Sequence, residues 1–271
     1  MRSVIVLDGG MGADALAYIR AGQRFAAGEE LYQPLQGIGD MAAYRYPPSF
    51  ALLWAPFAGL PELVVAWLYR IICFGCLYYL MGSWRAVGIA LLFPPLAIEM
   101  VTLNITMPIA ALARWSLRSS NGSSALSAAT YVKQSTVTLL PYLWYRRPNA
   151  RRSLALGAAL AIGVVALHAL LDPVTHVAYF DSLRQQANSG NLAGQLLRLL
   201  PSLTADFALR LGLAIALTII AIRRGWDWLA FAAAMLAVPT LWLARLAPLV
   251  AVPRLWIEDQ RAMAKKSSDQ S

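Results

Sequence analysis

From residue 50 onward, long apolar runs alternate with short polar or basic stretches, whereas residues 8–48 mix acidic, aromatic and polar positions. Runs of about 20 apolar residues cross a bilayer as helices, and shorter ones need another explanation, such as a re-entrant or interfacial segment. Residues 50–60, short and proline-bounded, predict a half-helix, and 61–81 a full span ending at Gly82, Ser83, Trp84 and Arg85. Residues 86–100 predict a return span bent by Pro94 and Pro95, and 105–115 one running back toward Arg118. Residues 123–145 begin and end beside basic residues, so this segment must turn inside the membrane. Lys133, flanked by Gln134, Ser135, Thr136 and Thr138, is expected near the tip of that broken hairpin. Spans follow over 153–171, 207–222, 228–238 and 246–256, an amphipathic interfacial helix over 194–200, and a helical pattern earlier over 15–27.

Composition sharpens this picture. With 59% hydrophobic and 14% charged residues and a mean hydropathy of +0.54, the chain is far from a soluble globular domain. Its net charge of +9 could indicate nucleic acid, but the basic residues cluster between apolar runs: Arg114 and Arg118, Arg146 and Arg147 with Arg151 and Arg152, Arg223 and Arg224, then Arg261, Lys265 and Lys266. Such clusters mark cytoplasmic loops, so membrane lipids are the expected surroundings and nucleic acid is not a partner. The expectation is an all-α, polytopic membrane helix bundle with about seven crossings, the amino end outside and the carboxyl end inside. Residues 1–49 form the first periplasmic loop, 50–257 the transmembrane domain with a second periplasmic loop at 172–205, and 258–271 a disordered cytoplasmic tail. An external amino end lacks an export signal, since residues 1–7 are too short for one, so a transmembrane helix is expected ahead of this chain.

Charged groups within membrane segments are costly unless paired or solvated, which makes each a candidate for function. Lys133, at the break of the hairpin, could neutralise a lipid-linked phosphate as it departs; a snorkelling lysine is the alternative. Asp14 could take the proton of an acceptor hydroxyl in a single displacement, or simply cap the helix that follows. Glu99 and Asn104 could bind sugar hydroxyls, or Glu99 could pair with Arg45. Arg70 reads as a paired or snorkelling residue, Asp8 and Asp40 as further loop carboxylates, and Glu29 and Glu30 as solvated charge. Cys73 and Cys76 share one helix with poor disulfide geometry, and His168 and His176 are too few for a histidine metal centre. No metal or other cofactor is expected.

The order Asp14-x3-Tyr18, Ala21-Gly22, Gly28, Leu31-Tyr32, Tyr46-Pro47-Pro48, Leu52, Pro56 and Leu60-Pro61 resembles the bacterial glycosyltransferase family 87. Asn104, Lys133, Arg146-Arg147, Gly190-Asn191-Leu192 and Arg198 extend the likeness to about Pro253. Two departures stand out: Val101 and Thr102 replace a Gly-Gln pair, and Pro239, Trp242 and Arg245 occur without the family's nearby histidine. The resemblance implies a GT-C fold similar to polyprenyl-phosphate-mannose-dependent mannosyltransferases. It implies transfer of a hexose, mannose foremost, from a polyprenyl-phosphate sugar to a lipid or glycan acceptor, with inversion, at the periplasmic face of the bacterial inner membrane. Asp14 would be the catalytic base. Lys133, Arg45, Tyr46 and Arg245 would border the donor phosphate, and Tyr18, Glu99, Asn104 and Asn191 the substrate. A transporter or flippase of lipid-linked glycan, or an inactive truncated homologue, would share several of these features.

Overall fold

A computed structural model describes residues 11–32, 44–188, 203–237 and 243–269, and every element in them is helical. Asp8, Asp40, Asn191, Arg198 and the interfacial helix over 194–200 lie outside the described residues. After α1 (Ala13–Ala27) and α2 (Pro48–Leu52), two helices among the described residues are long and apolar enough to cross a membrane: α3 (Glu62–Met81) and α9 (Arg151–Leu171), the latter prolonged at its start by the 3-10 turn Pro148–Ala150. A third crossing results if the bent pair α4 (Trp84–Ala90) and α5 (Pro94–Thr102) is counted as one span. The pair turns through 100° where Pro94 and Pro95 interrupt the helical hydrogen bonds.

The surfaces of α3 and α9 place them in lipid. Leu63, Trp67, Ile71 and Ile72 on α3 are at least half exposed, and α9 buries only Leu154 and Gly157. Apolar surface on this scale has no place in water. α3 ends where expected, at Gly82, whose φ of 77° lies in the left-handed region that glycine tolerates.

α6 (Thr106–Ser116), α7 (Ser120–Ala129) and α8 (Leu139–Arg146) follow, the last two forming the legs of the expected hairpin. The helix breaks at Lys133, which is extended (φ −139°, ψ 99°), before a 3-10 turn over Gln134–Thr138. Small residues hold the first leg close to its neighbours. A Cβ at Gly157 of α9 would lie 2.1 Å from the Ser124 carbonyl oxygen, and the Ser127 hydroxyl donates to the Leu154 carbonyl at 3.0 Å. Close backbone approach through small residues is how helices pack when lipid supplies no hydrophobic drive between them.

α10 (Pro173–Asn188), α11 (Leu203–Arg224) and α12 (Asp227–Leu236) come next in the chain. The end of the chain departs from expectation. Residues 246–256 do not form one span; a 3-10 stretch over Leu243–Ala251 passes into α13 (Val252–Ser268), which is ordered through most of the stretch expected to be a disordered tail. The cause is an ion-pair network. Glu258 accepts from Arg114 at 2.7 Å and from Arg254 at 3.1 Å, and also pairs with Arg118. Asp259 accepts from the Trp228 backbone at 3.2 Å. Burial and the neighbouring Asp227 push the Asp259 carboxyl up to about 6.

Candidate functional site

The amino-terminal helix α1 (Ala13–Ala27) brings one part of the first loop to the bundle's polar interior, and its first turn carries Asp14. Gly12, not Asp14, occupies the N-cap, and with φ 88° and no side chain it provides no capping hydrogen bond. The capping reading of Asp14 is therefore set aside. Gly12 is needed for space as well as for conformation, because a Cβ there would lie 2.9 Å from the Thr102 carbonyl oxygen and 3.0 Å from that of Val101. This contact seats Asp14, which is half-buried, against the end of α5. Burial pushes its carboxyl above the usual range, opposed by Arg245, by the Asn104 side chain, by Lys133 and by Thr102. Gly12→Ala is expected to cost roughly 1–3 kcal/mol from backbone strain alone and to lower turnover by displacing Asp14. Melting temperature and single-turnover rate would show it.

Beyond α5, Leu103 is the one described non-glycine residue with positive φ (56°). A wholly buried leucine held there, at a cost on the order of 1–2 kcal/mol, reverses the chain between α5 and α6 and turns Asn104 inward. The Asn104 Oδ1 accepts from the Thr106 amide at 3.2 Å, the Thr106 hydroxyl at 2.8 Å, Lys133 Nζ at 3.1 Å and Arg245 Nη1 at 3.3 Å. Lys133 also donates to the Thr106 hydroxyl, which Arg245 Nη1 approaches at 3.4 Å. Two cations thus share the same pair of neutral oxygens, and among the described residues neither forms an ion pair with a carboxylate. Juxtaposed cations attract an anion, and here the Asp14 and Glu99 carboxylates lie in their field without pairing with them.

An aromatic framework supports the cluster. The Tyr18 hydroxyl donates to that of Tyr46 at 3.0 Å and accepts from the Ile105 amide at 3.2 Å, so this wholly buried ring braces both walls. Asn104 Nδ2 donates to the Tyr46 hydroxyl at 3.3 Å, and Tyr32 donates to the Tyr46 carbonyl at 2.7 Å. Tyr18, Tyr46, Phe50, Trp54 and Tyr69 meet at centroid distances of 5.0–6.2 Å, mostly in the edge-to-face or tilted contacts that suit their quadrupoles. Gly22 lets α1 lie on this framework, since a Cβ there would be 2.6 Å from Trp54.

Asp14, Tyr18, Tyr46, Glu99, Asn104, Lys133 and Arg245 thus gather from five separate stretches of chain. Arg45, half-buried, precedes Tyr46. Glu99 does not hydrogen-bond Arg45; both its carboxylate oxygens are buried without a hydrogen-bond partner, in the field of Lys133 and Arg245. Arg70 stacks over the Trp67 ring at 4.6 Å. Thr106 was not legible as a site residue. The available signal was its place two residues after Asn104 at a helix start, where a polar side chain organises the first turn. Among the described residues no three His, Cys, Asp or Glu side chains converge as a metal set would.

A family model described as Glycosyltransferase family 87 matches residues 44–267, which include Tyr46, Glu99, Asn104, Lys133 and Arg245 and leave Asp14 and Tyr18 outside the matched range. No curated protein and no solved structure gives a match.

Proposed function

This chain belongs to glycosyltransferase family 87, and we propose that it moves a hexose, mannose foremost, from a polyprenyl-phosphate carrier to a lipid or glycan acceptor at the periplasmic face of the bacterial inner membrane. The observation that carries this reading is the pairing of Lys133 and Arg245 on the two oxygens of Asn104 and Thr106, with the Asp14 carboxylate in the same cluster. A glycosyl phosphate brings an anion to the two cations and its anomeric carbon toward the base.

In the proposed reaction Asp14 takes the proton of the acceptor hydroxyl as that oxygen attacks the anomeric carbon. The bond from that carbon to the phosphate oxygen breaks from the opposite face, and its electron pair leaves with the carrier phosphate, inverting the configuration. Lys133 and Arg245 stabilise the charge that grows on the phosphate. Tyr46 and Arg45 border the phosphate, and the unpartnered oxygens of Glu99 suit sugar hydroxyls, which donate hydrogen bonds.

Protein in lipid nanodiscs, given mannosyl, glucosyl and arabinosyl polyprenyl phosphates, should release carrier phosphate with the mannosyl or the glucosyl donor and transfer that hexose to acceptor, and turnover with the arabinosyl donor alone would overturn the hexose. Movement of intact donor across the bilayer without cleavage would instead favour the flippase reading. Turnover with none would overturn the assignment of polyprenyl-phosphate donors.

A further inference from the structure

Away from Lys133, the feet of the hairpin legs border an open cavity of about 370 Å³ whose arginines are exposed at the surface. The α7 leg of 10 residues puts it roughly 15 Å from the break. Its lining includes Arg118, Arg146, Arg147, Ser119, Ser120 and Asn149, and no carboxylate. Arg118 and Arg147 each give part of their guanidinium to Asp227, at 3.7 and 3.0 Å, and Arg118 also to Glu258. Arg146 forms no hydrogen bond or ion pair among the described residues. It lies over Gly225, where a Cβ would be 2.4 Å from its Nη2. Against the three lining arginines stand two carboxylates that lie outside the lining, Asp227 and Glu258, and Glu258 is shared with Arg114 and Arg254, so positive charge remains in excess.

Two further observations indicate what the cavity takes. α7 begins beside it at Ser119, whose hydroxyl makes no capping bond, so the free amides of that first turn are unmet by a side chain. Trp115, Trp144 and Tyr145 are exposed at the same level, and Arg151 lies over the Trp144 ring at 5.7 Å, where the apolar span of α9 begins. Exposed tryptophan and tyrosine at the end of a span mark the headgroup layer.

We infer that this cavity binds a phosphate ester, its source an anionic phospholipid of the surrounding leaflet. Arginine forks match phosphate oxygens in pairs, and basic pockets between membrane helices are suited to lipid headgroups. The inference is independent of sugar transfer.

Native mass spectrometry of the full chain, released from micelles containing phosphatidylglycerol, phosphatidylcholine or added inorganic phosphate, tests it. Phosphatidylglycerol should be retained at least about fivefold better than phosphatidylcholine, and Arg146→Gln should reduce that retention by about fivefold, the contribution of one interfacial charge. Ser120→Glu, which places an acid at a helix start where it is tolerated, should reduce it comparably with the melting temperature kept. Inorganic phosphate that displaces the lipid would support the site, with phosphate as the recognised group; binding of phosphate without retention of phosphatidylglycerol would overturn the phospholipid as its source. Equal retention of both lipids with no phosphate bound, or retention of phosphatidylglycerol unchanged in both variants, would overturn it.

Discussion

Replacing Asp14 by asparagine is expected to lower turnover by about 10²–10⁴-fold, the usual contribution of a positioned general base, while leaving the protein folded and the donor bound. The substitution keeps the size of the side chain, and Gly12 rather than Asp14 sets the start of α1. In the proposed reaction donor binding rests on Lys133 and Arg245, so KM should move far less than kcat. The pH dependence carries an independent sign. The base works only when deprotonated, and burial pushes its carboxyl above the usual aspartate range. Turnover should therefore fall as the pH drops through a limb displaced to higher pH than a free aspartate would give. Asparagine should abolish that limb, and unchanged transfer from a radiolabelled donor would remove Asp14 from the mechanism.

Glu258→Ala should have the largest effect on stability, on the order of 3 kcal/mol. Glu258 meets three arginines, and one of them, Arg114, has a side chain only 7% exposed. Removing the carboxylate leaves that cation buried among the Tyr79 carbonyl, to which it donates, and the Tyr79 ring at 4.7 Å. The loss comes from the unpaired charge, so Glu258→Gln should restore only part of it. A lower melting temperature together with faster hydrogen exchange across Val252–Ser268 would show that the pairs fasten α13 to the bundle. Exchange that matched the parent protein would mean that the helix is held by its apolar face alone.

The same end of the chain shows what sequence leaves illegible. Glu258 and Asp259 sit among lysines, serines and glutamines, a composition that resembles a solvated tail. Their partners Arg114 and Trp228 are 144 and 31 residues away, and nothing local announces such pairs. The hairpin was legible for the opposite reason. Lys133 among polar neighbours, with basic residues at both feet, left no continuous span available, and Ser120 and Arg146 do line one cavity. Pro94 and Pro95 likewise announced their bend, though not that it reaches 100°. Within the site, charge and amide marked Asp14, Lys133 and Asn104, whereas Thr106 became visible only once α6 placed its hydroxyl between two cations. The family likeness read from Tyr46-Pro47-Pro48 onward agrees with the match over residues 44–267.

The Asn104 side-chain oxygen has two lone pairs and four donors within reach. At any instant at most two of the four are served there, and for Lys133 and Arg245 the Thr106 hydroxyl is the other hydrogen-bonded oxygen. In the proposed reaction an incoming oxyanion would relieve this crowding by partner exchange among Lys133, Arg245 and Thr106, leaving the left-handed turn at Leu103 and the aromatic walls where they stand. Loading would then be a redistribution of hydrogen bonds on a framework that the fold has already set.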